Sequence, residues 1–187
     1  MLRKGGEMYH IKDDKRMRAS ATLICEGLAE ALEEKPYASP SVTQVCAATG
    51  VARTTFYRLF DTLDDVLVYQ FDQLFSAALH AYAVHGKQKP FARVIIEVAA
   101  SNKALVAAIV ESGRYDLLSQ ATQAREEDIL RSVGVHMDER DRRMCTSILT
   151  QVAIVVVGEW AKSGYKETPD QLYETMRREL RILACLV

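Results

Sequence analysis

Arg53, Thr54, Thr55, Tyr57 and Arg58 put five hydrogen-bonding side chains into one short segment, and Thr43 lies a little upstream. An arginine guanidinium can grip O6 and N7 of guanine with two parallel hydrogen bonds. Arginine, tyrosine and threonine also bind phosphate oxygens, which fixes register without reading sequence. The chemistry on offer is recognition of duplex DNA. Arg53 is expected at a base edge and Tyr57 and Arg58 on phosphates, with Thr43, Thr54 and Thr55 completing the contact set. The residue sets of catalysis are missing: there is no glycine-rich phosphate loop, no Gly-x-Ser-x-Gly and no His-Glu-x-x-His. His10, His80, His85 and His136 are scattered, and a separation of five does not put His80 and His85 on one helical face. No enzyme activity, no cofactor and no metal is expected.

Reading DNA with these residues requires a short helix held at a fixed angle on a second one, and the flanking sequence supplies both. Ser41 can cap a first helix, because its hydroxyl accepts an orphan N–H at the helix start. Val45 and Ala48 place an apolar stripe inward. Gly50 suits the left-handed backbone that ends that helix, and Val51 plugs the corner. Phe56 and Phe60 then face inward while Arg53, Thr54, Thr55, Tyr57 and Arg58 face out. This is a helix-turn-helix pattern, which presents the start of its second helix to the major groove.

Those residues and their flanks resemble the TetR family of bacterial transcriptional regulators. The matching positions are Gly50, Val51, Phe56, Tyr57, Phe60, Thr62, Asp64, Asp65 and Leu67, behind a long helix from about Asp14 to Glu34. Leu59 and Leu63 depart from the pattern, which often has His or Tyr at the first and Lys at the second, residues that touch phosphate. The match covers roughly the first third of the chain. The resemblance implies an all-α fold of about nine helices: a three-helix DNA-binding head over residues 1–61, and a helical effector-binding and dimerisation body over 62–187, joined by a long fourth helix. It also implies a homodimeric regulator, a repressor released by a small molecule, acting on a palindromic operator. The alternative reading is a helical sensor or interaction protein of the same fold with weak or no DNA binding, which Leu59 and Leu63 favour.

The composition fits that architecture. A chain of 187 residues with 49% hydrophobic content can bury a sizeable core. Net charge is −1 overall, with nine basic and seven acidic residues among the first sixty. The excess sits in an N-terminal arm (Arg3, Lys4, Lys12, Lys15, Arg16, Arg18), which is expected to lie disordered or loosely helical and could approach phosphates. Neither a signal peptide nor an apolar run of membrane-spanning length is read, so the expected location is the cytoplasm and no membrane partner is expected. Cys25, Cys46, Cys145 and Cys185 form no Cys-x-x-Cys pair and read as reduced, mostly buried thiols.

Helix signals continue to the end. Pro36 and Pro40 bound a loop after the first helix. Thr62 caps the fourth helix, with Asp64 and Asp65 at its positive dipole end, and Gly86–Pro90 breaks it after about His85. Two helices with a joint near Ser101–Asn102 precede Gly113, and a single seventh helix is expected from Asp116 to Val133. Asp138 starts an eighth. Its run Gln151–Val157 is strand-like in β-branched content, but Ile148, Val152, Val155, Val156 and Trp160 keep helical spacing. Thr168-Pro169-Asp170 starts the ninth. The expected dimer seam is Val155, Gly158, Leu172, Met176, Leu180 and Leu183, forming a four-helix interface. A small apolar or amphipathic effector is expected between the fourth, fifth, seventh and eighth helices. Phe75, Leu79, Asn102, Tyr115, Gln120, Thr150 and Gln151 are candidates to line its site, with Arg114 and Thr146 further polar residues in the same helices.

Overall fold

The computed structural model describes residues 9–11, 14–34, 40–84 and 88–186. The arm residues Arg3, Lys4 and Lys12, the loop at 35–39, and the break beginning at His85–Gly86 lie outside the described residues. Among the described residues ten helices are found: α1 (Lys15–Glu34), α2 (Val42–Thr49), α3 (Arg53–Leu59), α4 (Leu63–Val84), α5 (Phe91–Ala100), α6 (Lys103–Ser112), α7 (Tyr115–Ala124), α8 (Glu126–Val133), α9 (Glu139–Lys162) and α10 (Pro169–Ala184). No strand occurs among the described residues, and the β-branched run lies inside α9 as its spacing requires.

Local chemistry sets most of the boundaries. Asp14 Oδ1 accepts from the amides of Arg16 and Met17 at the start of α1. Ser41 and Gln44 form a reciprocal capping box on α2, as do Thr168 and Gln171 on α10, where Pro169 occupies the first turn. Thr62 and Asp65 exchange the same pair of bonds ahead of α4. Each cap satisfies amides that the helix itself leaves unpaired.

The nine expected helices are ten because the seventh is split. Arg125 ends α7 and starts α8 at φ −112° and ψ 6°. No glycine or proline marks the position; its side chain instead turns to Asp72 of α4 at 2.5 Å. A second correction concerns α9. An 18-residue window of this helix has mean hydropathy 1.5, which is long and apolar enough to cross a membrane, and only 22% of it is buried within the chain. The sequence reading of no such run therefore fails, and much of the apolar surface of α9 has no cover from its own chain.

One buried cluster runs through head and body. Ile24, Phe56, Leu59 and Phe60 belong to it together with Phe71, Phe75, Ile109, Leu117 and Ile129. The helix α1 packs on α6 as well as on α2, α3 and α4, so segments 1–61 and 62–187 are in direct contact. Leu172 and Met176 are buried with Ile96 and Trp160 in a smaller cluster, where α10 leans on α5.

The crossing of α1 over α2 is close. A Cβ placed on Gly27 would lie 2.2 Å from Thr49 Cγ2 and 3.3 Å from the Val45 carbonyl oxygen. Thr49 cannot simply rotate away, because its hydroxyl donates to that same carbonyl. Gly27→Ala should therefore lower stability by about 1–3 kcal/mol through overpacking. Adding Thr49→Ser, which removes the clashing methyl, should restore most of the loss. Thermal melts of the three proteins check this, and an unchanged melting temperature for the single variant would refute the close packing.

Candidate nucleic-acid interface and body cavity

The turn between α2 and α3 has the backbone that its sequence suggests. Gly50 sits at φ 68°, ψ 7°, a left-handed conformation that penalises any side chain. Phe56, Leu59 and Phe60 are fully buried, and their removal from water fixes the angle of α3 on α1 and α2. The opposite face of α3 carries Arg53, Thr54, Tyr57 and Arg58 in the open, with Thr55 half-buried. The Arg53 guanidinium lies 6.0 Å over the Tyr57 ring, and Tyr57 in turn meets Phe56 edge-on at 5.4 Å. Thr43 is exposed on the first turn of α2. All six candidate DNA-contact residues thus belong to the two helices of one motif, with Arg53 and Tyr57 one turn apart on α3 and Arg58 next to Tyr57. Leu59 is interior and contributes packing. Leu63 is half-buried and packs on the same core.

Sequence reasoning missed the segment that buttresses this head. The His10 amide donates to the Leu59 carbonyl at 2.8 Å, and His10 Nε2 lies 3.3 Å from Asp61 Oδ1. The Tyr9 ring packs edge-on against Tyr69 at 4.9 Å, and its hydroxyl donates to Asp72 Oδ2 at 2.8 Å. Arg125 donates to both oxygens of Asp72 at 2.5 and 2.8 Å and to Ser76 Oγ at 3.2 Å. Burial alone would raise the Asp72 pKa, but the hydrogen bonds from Arg125 and Tyr9 outweigh it and hold the carboxyl below its usual value. The one legible hint was an acid set among the apolar residues of the fourth helix, beside Phe71. Cys25 lies close by under α4, its carbonyl accepting from Gln70 Nε2 at 3.3 Å. Burial pushes its thiol up to about 12, which leaves it protonated and unreactive at neutral pH.

The body holds a partly open apolar pocket of about 330 Å³, walled by α4 to α10 and reaching the exposed Leu149 and Leu180. Of the candidate effector residues, Phe75, Tyr115 and Thr150 stand on its wall. The other four do not. Leu79 packs into the core beside it. Asn102 is exposed and donates to the Val98 carbonyl at 2.7 Å, tying down the end of α5. Gln120 and Gln151 point to solvent. Arg114, also a candidate, pairs with Asp64 at 2.8 Å and Asp116 at 3.0 Å. The sequence reading erred here because polarity within an apolar helix marks its outer face more often than a pocket wall. Thr122 and Thr146 are the wall residues that polarity could have picked out in α7 and α9; Thr122 was passed over. Among the described residues no three His, Cys, Asp or Glu side chains gather where a metal ion could sit.

The expected dimer seam divides in two. Leu172 and Met176 are buried in their own chain, and Gly158 faces Tyr115 and Val110 inside the body. Those three are corrected to intramolecular packing, with α5 and the cavity as their partners. Val155, Leu180 and Leu183 are exposed and are joined by Met144, Ile148, Leu149, Ile182 and Leu186. The result is an uncovered apolar face built from α9 and the end of α10.

No protein-family profile and no curated protein sequence matches this chain. Solved structures do. One is a protein assigned to the TetR family of transcriptional regulators from Syntrophomonas wolfei strain Goettingen, 20% identical, with a TM-score of 0.66 over 90% of this chain and 96% of that one. Another is the fatty acid degradation regulator FadR from Bacillus halodurans, 16% identical, with a TM-score of 0.51 over 90% and 94%.

Proposed function

We propose, from the TetR-like fold shared with these two regulators as premise, that the protein is a DNA-binding transcriptional regulator. The observation that carries this reading is the outward face of α3, where Arg53, Tyr57 and Arg58 stand exposed behind a left-handed Gly50 turn. In this reading Arg53 contacts a base edge, and Arg58 and Tyr57 grip phosphates. The regulator is a homodimer through the uncovered face of α9 and α10, because a single short helix reads few base pairs and a two-fold doubles the site. Gln151, in the middle of that face between Ile148 and Val155, favours a second copy over lipid: an amide can pair across a two-fold axis and is costly in hydrocarbon.

The two sites connect through α4. Leu63, at its start, packs against the head core, and Phe71 and Phe75 further along line the cavity. A small molecule that fits one tilt of α4 shifts the distribution of distances between the two heads, whereas a palindromic operator accepts heads about 34–36 Å apart or a multiple of that. Release from DNA by such a molecule makes the protein a repressor acting in the cytoplasm.

Duplexes selected from a random library test the DNA-reading face. Arg53→Ala should relax base preference at one position per half-site, worth about 1–3 kcal/mol. Arg58→Ala should weaken all duplexes alike and flatten the salt dependence. Intact specificity in gel shifts with Arg53→Ala would remove that residue from base reading, and failure to select any sequence with the parent protein would sink the regulator reading itself.

A further inference from the structure

The body pocket does not close within one chain. Most of its wall is buried or half-buried, but Ala92 of α5, Leu149 of α9 and Leu180 of α10 are exposed. Leu149 is 51% and Leu180 38% exposed, and both also belong to the uncovered apolar face of α9 and α10. The opening therefore lies in the surface that the dimer reading gives to a second copy. Ligand sites bury about 70–90% of a drug-sized ligand, and an open rim leaves one end of an apolar ligand in water, where its burial contributes nothing. Resting on the dimer reading above, we infer that the second copy roofs the pocket: the effector site is complete only in the dimer, and each bound effector tightens the dimer.

The same face supplies side chains for the roof. Met144, Ile148, Val155, Ile182, Leu183 and Leu186 are exposed on it and stand on no wall of this pocket. A two-fold interface is self-complementary, so residues beside one chain's opening meet the corresponding region of the other chain. Linkage fixes the consequence. A dimer that binds the effector about tenfold more tightly than the monomer has its own dissociation constant lowered about tenfold per occupied site, and about a hundredfold with both sites filled. The effector then releases DNA by resetting the head spacing of an intact dimer, not by splitting it.

The test uses the full-length protein and 1-decanol, whose chain of about ten heavy atoms matches 330 Å³ at a water molecule's share of about 30 Å³ each. Sedimentation of a dilution series gives the dimer dissociation constant with and without saturating decanol. Calorimetry gives decanol affinity for the parent dimer and for Val155→Glu, a monomer whose altered residue stands on no pocket wall. Decanol should bind the dimer at least about tenfold more tightly than the monomer, and should lower the dimer dissociation constant by the matching factor. Ala153→Phe, which fills the pocket from α9, should abolish both decanol binding and its effect on association. Equal affinity for dimer and monomer would overturn the roofed site while the dimer and the regulator reading stand. Dissociation of the dimer by decanol would also overturn it, as would no binding to either form. A monomeric parent would overturn both this inference and the dimer, leaving the DNA-reading face to the duplex selection.

Discussion

Arg125→Ala should lower folding stability by about 3–5 kcal/mol, more than any substitution on the DNA-reading face. The cost arises because the variant strands a charge. The Asp72 side chain is 13% exposed and its partner Arg125 29%, so the carboxylate cannot turn to water as the guanidinium can. Breaking a buried pair by removing the cation typically costs that much, equivalent to about 10 °C in melting temperature for a chain of this size. Asp72→Asn should cost less, since the freed guanidinium can reach solvent and the amide still fills the space. The double variant Asp72→Asn/Arg125→Met should be less damaged than Arg125→Ala, because it leaves no unpaired charge.

The same group sets a pH dependence. A carboxyl held below its unfolded-chain value of about 3.9 stabilises the fold fully above that value and loses its contribution as pH falls through the folded value. The parent protein should therefore weaken below about pH 4, with a slope that Asp72→Asn makes shallower. In Arg125→Ala only the Tyr9 hydrogen bond still opposes burial, Asp72 takes up a proton at higher pH than in the parent, and the gap to the parent narrows in acid. Urea melts across pH 3–7 check both statements, and a pH-independent gap would refute the assignment.

Val155→Glu should dissociate the protein into folded monomers. Val155 is 60% exposed in the single chain, so a carboxylate there is solvated in the monomer and costs the fold little. Across a two-fold interface through α9 it would be desolvated beside its own copy, with a like-charge penalty added to a burial cost of several kcal/mol. At micromolar concentration that is enough to abolish association and, with it, tight operator binding. Met176→Glu should act differently: Met176 is buried within its own chain, and a charge there unfolds the body. Sedimentation velocity together with circular dichroism separates the two outcomes. A dimeric Val155→Glu, or a monomeric parent, would rule out this face.

The residues that form the helix-turn-helix were legible because their signals are local. Ser41 and Gln44 satisfy amides three positions away, Gly50 answers a backbone requirement of its own position, and Thr62, Asp138 and Thr168 each cap the helix that follows at once. Such interactions span less than one helical turn, and the sequence records them directly. Spacing likewise assigned α9 to a helix against its β-branched composition, since periodicity reports which side must leave water. It does not report what covers that side. Only the tertiary structure decided that Leu172 and Met176 meet Ile96 and Trp160 while Leu180 and Leu183 stay in the open. It also decided that Gln151 and Gln120 face solvent rather than the cavity. The break at Arg125 has the same origin: no helix breaker is present, and the chain bends where an arginine pairs with a carboxylate fifty-three positions earlier. Contacts between residues distant in sequence cannot be read from either partner alone, and both the cavity and the ion pair beside it are made of them.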